Sequence, residues 1–154
     1  MRFNECVLRR DYARRYLSGS GTENSQPDII KAYQWLQSSA KKGHTDAMID
    51  IGDLVEAGVL SGDGKSDYKL ALKYYLQAAK LGNAQAMYNI GYYYSKGKIT
   101  GSPDYKVAMK WYKKSSKLGN HDAMHSIGMI FYTGKLKGVP DYQKAREWFE
   151  KSSD

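Results

Sequence analysis

The sequence predicts an all-α array of antiparallel helix pairs, about eight helices in all, and two observations carry that expectation. A segment recurs along the chain, and helix-capping residues recur with it. "DYKLALKYYLQAAKLGN" from Asp67 lines up with "DYKVAMKWYKKSSKLGN" from Asp104 and "DYQKAREWFEKSSD" from Asp141, and more loosely with "DIIKAYQWLQSSAKKGH" from Asp28, at offsets of 39, 37 and 37 residues. A period in this range marks stacked supersecondary units. "DAMIDIGDLVEAG" from Asp46, "QAMYNIGYYYSKG" from Gln85 and "DAMHSIGMIFYTG" from Asp122 follow the segments from Asp28, Asp67 and Asp104, respectively, so a unit is two helices.

In chain order, residues 5–18 align with a second helix, with Tyr16 at the place of Tyr94 and Gly19 at that of Gly97, so residues 1–27 form a partial unit. Repeats then occupy 28–66, 67–103 and 104–140, and a closing first helix occupies 141–154. Asp28, Asp67, Asp104 and Asp141 stand where an N-cap carboxylate would accept free first-turn amides, and Pro27, Pro103 and Pro140 each precede such an Asp. Gly43, Gly82 and Gly119 follow a lysine-containing last turn, as a left-handed glycine after a helix does, and Asn83 and Asn120 can cap the next helix. Connectors such as GKITGSP and GKLKGVP link one pair to the next. In the last first helix Lys144 and Arg146 replace the apolar pairs Leu70/Val107 and Leu72/Met109, the polar outer side expected of a capping helix and so of an array end.

Columns across the units separate packing residues from free ones. Ala32, Ala71, Ala108 and Ala145 share one position, Trp35, Tyr74, Trp111 and Trp148 another, and Leu36, Tyr75, Tyr112 and Phe149 the next. The second helix repeats Ala47/Ala86/Ala123, Met48/Met87/Met124, Ile51/Ile90/Ile127 and Gly52/Gly91/Gly128. Glycine inside a helix costs about 1 kcal/mol relative to alanine, so its return implies a backbone approach too close for a side chain.

These residues resemble the Sel1-like repeat (SLR) family, relatives of the tetratricopeptide repeats. The resemblance is carried by A-x-x-W/Y-Y-x-x-A/S-A/S (Ala71 to Ala79), K-x-G-N-x-x-A-M-x-x-I-G (Lys80 to Gly91), the aromatic Tyr94, Gly97 and Asp104-Tyr105, and it covers essentially residues 28–154. It implies a right-handed α/α superhelical solenoid that binds proteins as a scaffold or adaptor, without catalytic activity or cofactor of its own. The family also includes bacterial immunity proteins that silence toxic effectors, which is the alternative use. Some secreted members staple each helix pair with a disulfide, and this chain lacks the cysteines for it.

Composition agrees with a folded chain: 154 residues, 42% hydrophobic and 26% charged, with a formal net charge of +8 that favours acidic partners. No apolar run approaches the roughly 18 residues of a membrane span, and the N-terminal residues carry no stretch of signal-peptide length. A lone Cys6 forms no intrachain disulfide, consistent with a cytoplasmic setting, or a periplasmic one if a signal peptide has been removed.

Where that charge lies is informative. At about 100° per residue from the capping Asp, the recurring positions gather on one side of each first helix and +2, +6, +9 and +13 on the opposite side. That side reads Lys69, Lys73, Leu76, Lys80 in the second unit and Lys106, Lys110, Lys113, Lys117 in the third. Lysines on an exposed face commonly serve only solubility, yet seven at equivalent places with no interleaved carboxylate also suit an acidic partner surface. In tetratricopeptide arrays first helices line the concave groove, which by analogy makes this field a groove floor, with Leu76 and Tyr92 as apolar anchors beside it. The column Asp53, Tyr92, Met129 is not fixed by the repeat.

Other chemistry finds less support. Arg9, Arg10, Arg14 and Arg15 with Tyr12 and Tyr16 could form a nucleic-acid patch, but most of the 14 tyrosines occupy packing columns, so protein remains the expected partner. "GVLSGDGKS" echoes a P-loop, yet Gly58 stands one residue too early and follows a helix. "NHDAMHSIG" spaces His121 and His125 as zinc proteases do, but the same columns hold Thr45/Ala84 and Ile49/Tyr88, and no third ligand is evident.

Overall fold

The computed structural model describes Ser18 and residues 28–153, which form seven helices beyond Ser18 and, among the described residues, no strand. They are α1 (Ile29–Lys41), α2 (Thr45–Glu56), α3 (Tyr68–Lys80), α4 (Ala84–Ser95), α5 (Tyr105–Ser116), α6 (His121–Tyr132) and α7 (Tyr142–Ser153). The partial unit at residues 1–27 lies outside the described residues apart from Ser18, itself helical. The chain divides after Leu81 into two compact units, one carrying α1–α3 and the other α4–α7.

Six of the seven described helices begin where a cap side chain satisfies an amide that has no partner inside the helix. Asp28, Asp67 and Asp104 accept from the backbone N–H groups of Lys31, Leu70 and Val107 at 3.0, 2.9 and 2.9 Å, and Asp141 from Lys144 at 3.1 Å. Asn83 and Asn120 do the same for α4 and α6, accepting from Ala86 and Ala123 at 3.0 and 2.8 Å. The residue at this place before α2, His44, makes no side-chain cap bond. Replacing Asp104 by alanine is expected to destabilise the fold by ~1 kcal/mol while Asp104→Asn retains most of the stability, measurable as shifts in the urea midpoint.

The first helices end as expected, with Gly43, Gly82 and Gly119 at φ of 88, 86 and 81°. A second set, Gly58, Gly97 and Gly134, closes the second helices at φ of 71, 68 and 67°. There the connector folds back on the helix it has just left: the amides of Asp104 and Asp141 donate to the carbonyls of Tyr94 and Phe131 at 2.8 and 2.9 Å. With Asp67, whose amide donates to the Val55 carbonyl at 3.3 Å, three cap residues are thus held by the second helix before them, which constrains how the chain re-enters.

The packing columns form the core of each unit. Ala32, Ala71, Ala108 and Ala145 are buried, as are Ile51, Ile90 and Ile127. Position +8 supplies the large residues, with Leu36, Tyr75 and Tyr112 buried and Phe149 partly so. The neighbouring column, Trp35, Tyr74, Trp111 and Trp148, is only half-buried. Lys114 and Lys151 lie over the Trp111 and Trp148 rings at 4.3 and 4.8 Å, so these indoles pack one face and offer the other to a cation.

The recurring helical glycines have a sharper cause than the backbone approach anticipated from sequence. A Cβ on Gly52, Gly91 or Gly128 would lie 2.5, 2.7 or 2.5 Å from a ring carbon of Tyr75, Tyr112 or Phe149, respectively. It is an aromatic ring, not another backbone, that fills the space. Each glycine of a second helix thus receives the +8 ring of the first helix that follows, and the tighter packing in each unit runs between those two helices.

Candidate partner-binding faces

On α3, Lys69, Lys73 and Lys80 are exposed with Leu76 half-buried among them; on α5, Lys106, Lys110, Lys113 and Lys117 are all exposed. Their place follows from the helix period: Ala71 and Tyr75, or Ala108 and Tyr112, take the buried side and leave the lysines opposite. Among the described residues none of these seven ammonium groups pairs with a carboxylate. The corresponding face of α7 is different in kind, carrying exposed Gln143, Glu147 and Glu150, the last tied to Arg146 at 2.7 Å. The basic character belongs to the two inner first helices.

Tyr92 does not join the α5 lysines. It stands half-buried on α4 with Tyr88, facing Tyr112 on the packing side of α5 and Met129 of α6 across a cleft that none of those lysines lines. Sequence reasoning grouped it with the lysines because a second helix's free column carries no sign of which neighbour it will face. Tyr88, Tyr105, Met129, Lys96 and Lys135, which share this cleft, were not singled out; the one signal was that Asp53, Tyr92 and Met129 vary at a single column.

Buried hydroxyls differ between the units. In the first, the Tyr75 hydroxyl donates to the Asp53 carboxylate at 2.7 Å; in the second, the Tyr112 hydroxyl donates to Ser95 Oγ at 3.1 Å. Burial pushes the Tyr112 hydroxyl up to about 12, because the phenolate would lose its hydration there. Ser115, also buried, donates across to the Ala84 carbonyl at 2.7 Å, tying the end of α5 to the start of α4.

The remaining sequence candidates fall in structural places. His121 Nδ1 lies 3.2 Å from the Ser152 carbonyl, and the His125 ring packs on Phe149 with centroids 5.1 Å apart. Among the described residues no three His, Cys, Asp or Glu side chains converge as metal ligands. In the loop after α2, Lys65 is paired with Asp63 at 3.1 Å and the Ser61 hydroxyl donates to the Gly58 and Lys65 carbonyls at 2.8 and 2.9 Å, a self-bonded turn. The arginine-tyrosine cluster between Arg9 and Tyr16 lies outside the described residues. Among those described, no helix is long and apolar enough to cross a membrane.

Comparison with known proteins places this architecture. The Sel1 repeat model matches residues 10–44, 45–83, 84–120 and 121–154. A Sel1 repeat protein from Oxalobacter formigenes is similar over 97% of this chain and 58% of its own, with 26% identity and a TM-score of 0.77. The protein c5321 of uropathogenic Escherichia coli, a protective antigen displaying an SLR fold, is similar over 96% of this chain and 30% of its own, with 29% identity and a TM-score of 0.76. The chain therefore spans less than two thirds of the length of either. Immunity protein PA5088 of Pseudomonas aeruginosa shares the fold at 18% identity and a TM-score of 0.58, over 96% of this chain and 68% of its own. No curated protein matches the sequence. With four consecutive Sel1 matches, helix pairs packed alike, and solved SLR neighbours, the chain belongs to the Sel1 repeat family, whose α-solenoids are typically non-enzymatic scaffolds for protein–protein interaction.

Proposed function

We propose that the protein holds an acidic partner protein on the lysine faces of α3 and α5, the side that first helices turn toward the groove in tetratricopeptide arrays, and does so as a scaffold or adaptor in the cytoplasm. The observation that carries this reading is the segregation of charge: seven exposed lysines at equivalent positions, unpaired with any described carboxylate, on two of the four described first helices. Exposed ammonium groups contribute modestly to affinity but accelerate encounter with an acidic surface and disfavour basic competitors. Lysine's compact, mobile charge suits such steering better than bidentate locking. A second use, neutralising a toxic effector, is favoured by the fold shared with immunity protein PA5088; there the acidic partner would be the toxin.

Affinity purification followed by mass spectrometry identifies the partner, and the two uses separate on whether that partner is toxic when expressed without this protein. Reversing Lys73, Lys110 and Lys113 to glutamate is then expected to weaken binding by roughly tenfold or more in a pull-down titration, with unchanged helical circular dichroism. Equal affinity of the reversed variant would refute the lysine-face assignment.

A further inference from the structure

The cleft between α4 and α6 is separate from the lysine faces and built on different chemistry. Its volume is about 300 Å³, and its floor is aromatic: Tyr105 and Tyr112 of α5, flanked by Tyr88 and Tyr92 of α4, with Met129 of α6 on the far wall. Tyr112 is buried, the other three tyrosines are half-buried and Met129 is 41% exposed, so the cleft offers apolar surface that the fold leaves uncovered.

The polar complement is one-sided. Lys96 and Lys135 line the cleft, and no carboxylate does. Both ammonium groups lean over its aromatic walls, Lys96 at 5.6 Å from the Tyr92 centroid and Lys135 at 5.8 Å from that of Tyr105. Asp122 acts on Tyr88 from outside the lining. Hydroxyls of Ser95, Ser126 and Thr133 complete the walls as neutral hydrogen-bonding groups.

This chemistry is not a by-product of the repeat. The column that holds Tyr92 holds Asp53 in the preceding unit, that of Ser95 holds Glu56, and that of Lys96 holds Ala57. The Tyr75 hydroxyl, equivalent to that of Tyr112, accordingly meets Asp53 at 2.7 Å and Glu56 at 3.4 Å. The fixed residues, Tyr68/Tyr105 and Gly52/Gly91, keep the helices in register, while the free columns change an acidic site into an aromatic, basic one.

We propose that this cleft docks an acidic segment of a partner protein that carries an apolar side chain between its carboxylates. The apolar side chain would lie against Tyr92 and Met129, and the flanking carboxylates would meet Lys96 and Lys135. Aromatic walls supply contact area at low side-chain entropy cost, and methionine adapts its shape to the occupant. The inference does not depend on the lysine faces, since the α5 lysines line no part of this cleft.

The test uses the full chain with methyl-labelled methionine and an acetylated Glu-Asp-Leu-Asp-Glu peptide. Saturable displacement of the Met129 methyl resonance is expected, with affinity at least about tenfold weaker in the Lys96→Glu, Lys135→Glu double variant and near unchanged in the Lys110→Glu, Lys113→Glu variant. A control peptide with glycine in place of leucine is expected to lose most of the binding. The inference is overturned if Met129 is unmoved at millimolar peptide, if the glycine peptide binds equally, or if only the Lys110/Lys113 reversal weakens binding. That last result would favour the lysine faces instead, so the two readings fail separately.

Discussion

Gly91→Val is expected to destabilise the protein by ~2 kcal/mol, lowering the thermal midpoint by roughly 4–8 °C for a chain of this size. Two effects oppose each other at this site. Any side chain relieves the entropic penalty of glycine in a helix, worth about 1 kcal/mol for alanine and less for valine, whose branched side chain is stiff in a helix. Against that, a Cβ would stand 2.7 Å from the Cδ1 and Cε1 atoms of Tyr112. That ring cannot easily retreat: it is buried, and its hydroxyl is anchored to Ser95. Overpacking costs of about 1–3 kcal/mol therefore dominate. A double-mutant cycle isolates the cause. In a Tyr112→Ala background, Gly91→Ala is expected to become stabilising, by up to ~1 kcal/mol, because only the propensity gain survives. If the glycine substitution costs the same with and without the ring, the ring is not what excludes the side chain.

The second large effect is alkaline. The Tyr112 hydroxyl, raised by burial from 10.0 to about 12, stays protonated in the folded protein after its unfolded counterpart has ionised. The folded state then binds more protons than the unfolded one, so stability falls as pH rises. The contribution is fully present below pH about 10 and is lost as pH climbs through about 12, amounting to at most ~2–3 kcal/mol for a shift of that size. Tyr74, itself raised to about 12 by burial and its bond to Tyr33, acts in the same range. The discriminating quantity is therefore the difference between the parent and Tyr112→Phe. Urea unfolding across pH 9–11.5 is expected to show a shallower decline for the phenylalanine variant; parallel declines would mean that the buried phenol is not the source.

Much of the architecture was legible because repetition exposes it. The capping aspartates, Asn83 and Asn120, and the left-handed Gly43, Gly82 and Gly119 were all readable from residue type and spacing, since each satisfies backbone groups within a turn of itself. The solvent-facing lysines of α3 and α5 were readable for a related reason: once alanine and tyrosine columns mark the packed side, the helical period assigns the remainder. The helical glycines were recognised as sites of close approach, but the partner was misjudged as backbone. A column of glycines and a column of aromatics are both visible in sequence; that Gly91 meets Tyr112 rather than another helix axis depends on how two helices are set against each other.

Tyr92 shows the limit most plainly. Its column varies, which marked it as free to bind, yet nothing local says that it will share a cleft with Met129 and Lys135 on the side of α5 turned away from the lysines. By itself the sequence determined where helices start and stop, which residues each must bury, and the family to which the chain belongs, because those properties arise from bonds and periodicities spanning a few residues or from their repetition. Tertiary structure alone decided which ring fills each glycine notch and which side chains from three separate helices meet in one aromatic, basic cleft, because those contacts depend on the packing angle and register of elements far apart in the chain.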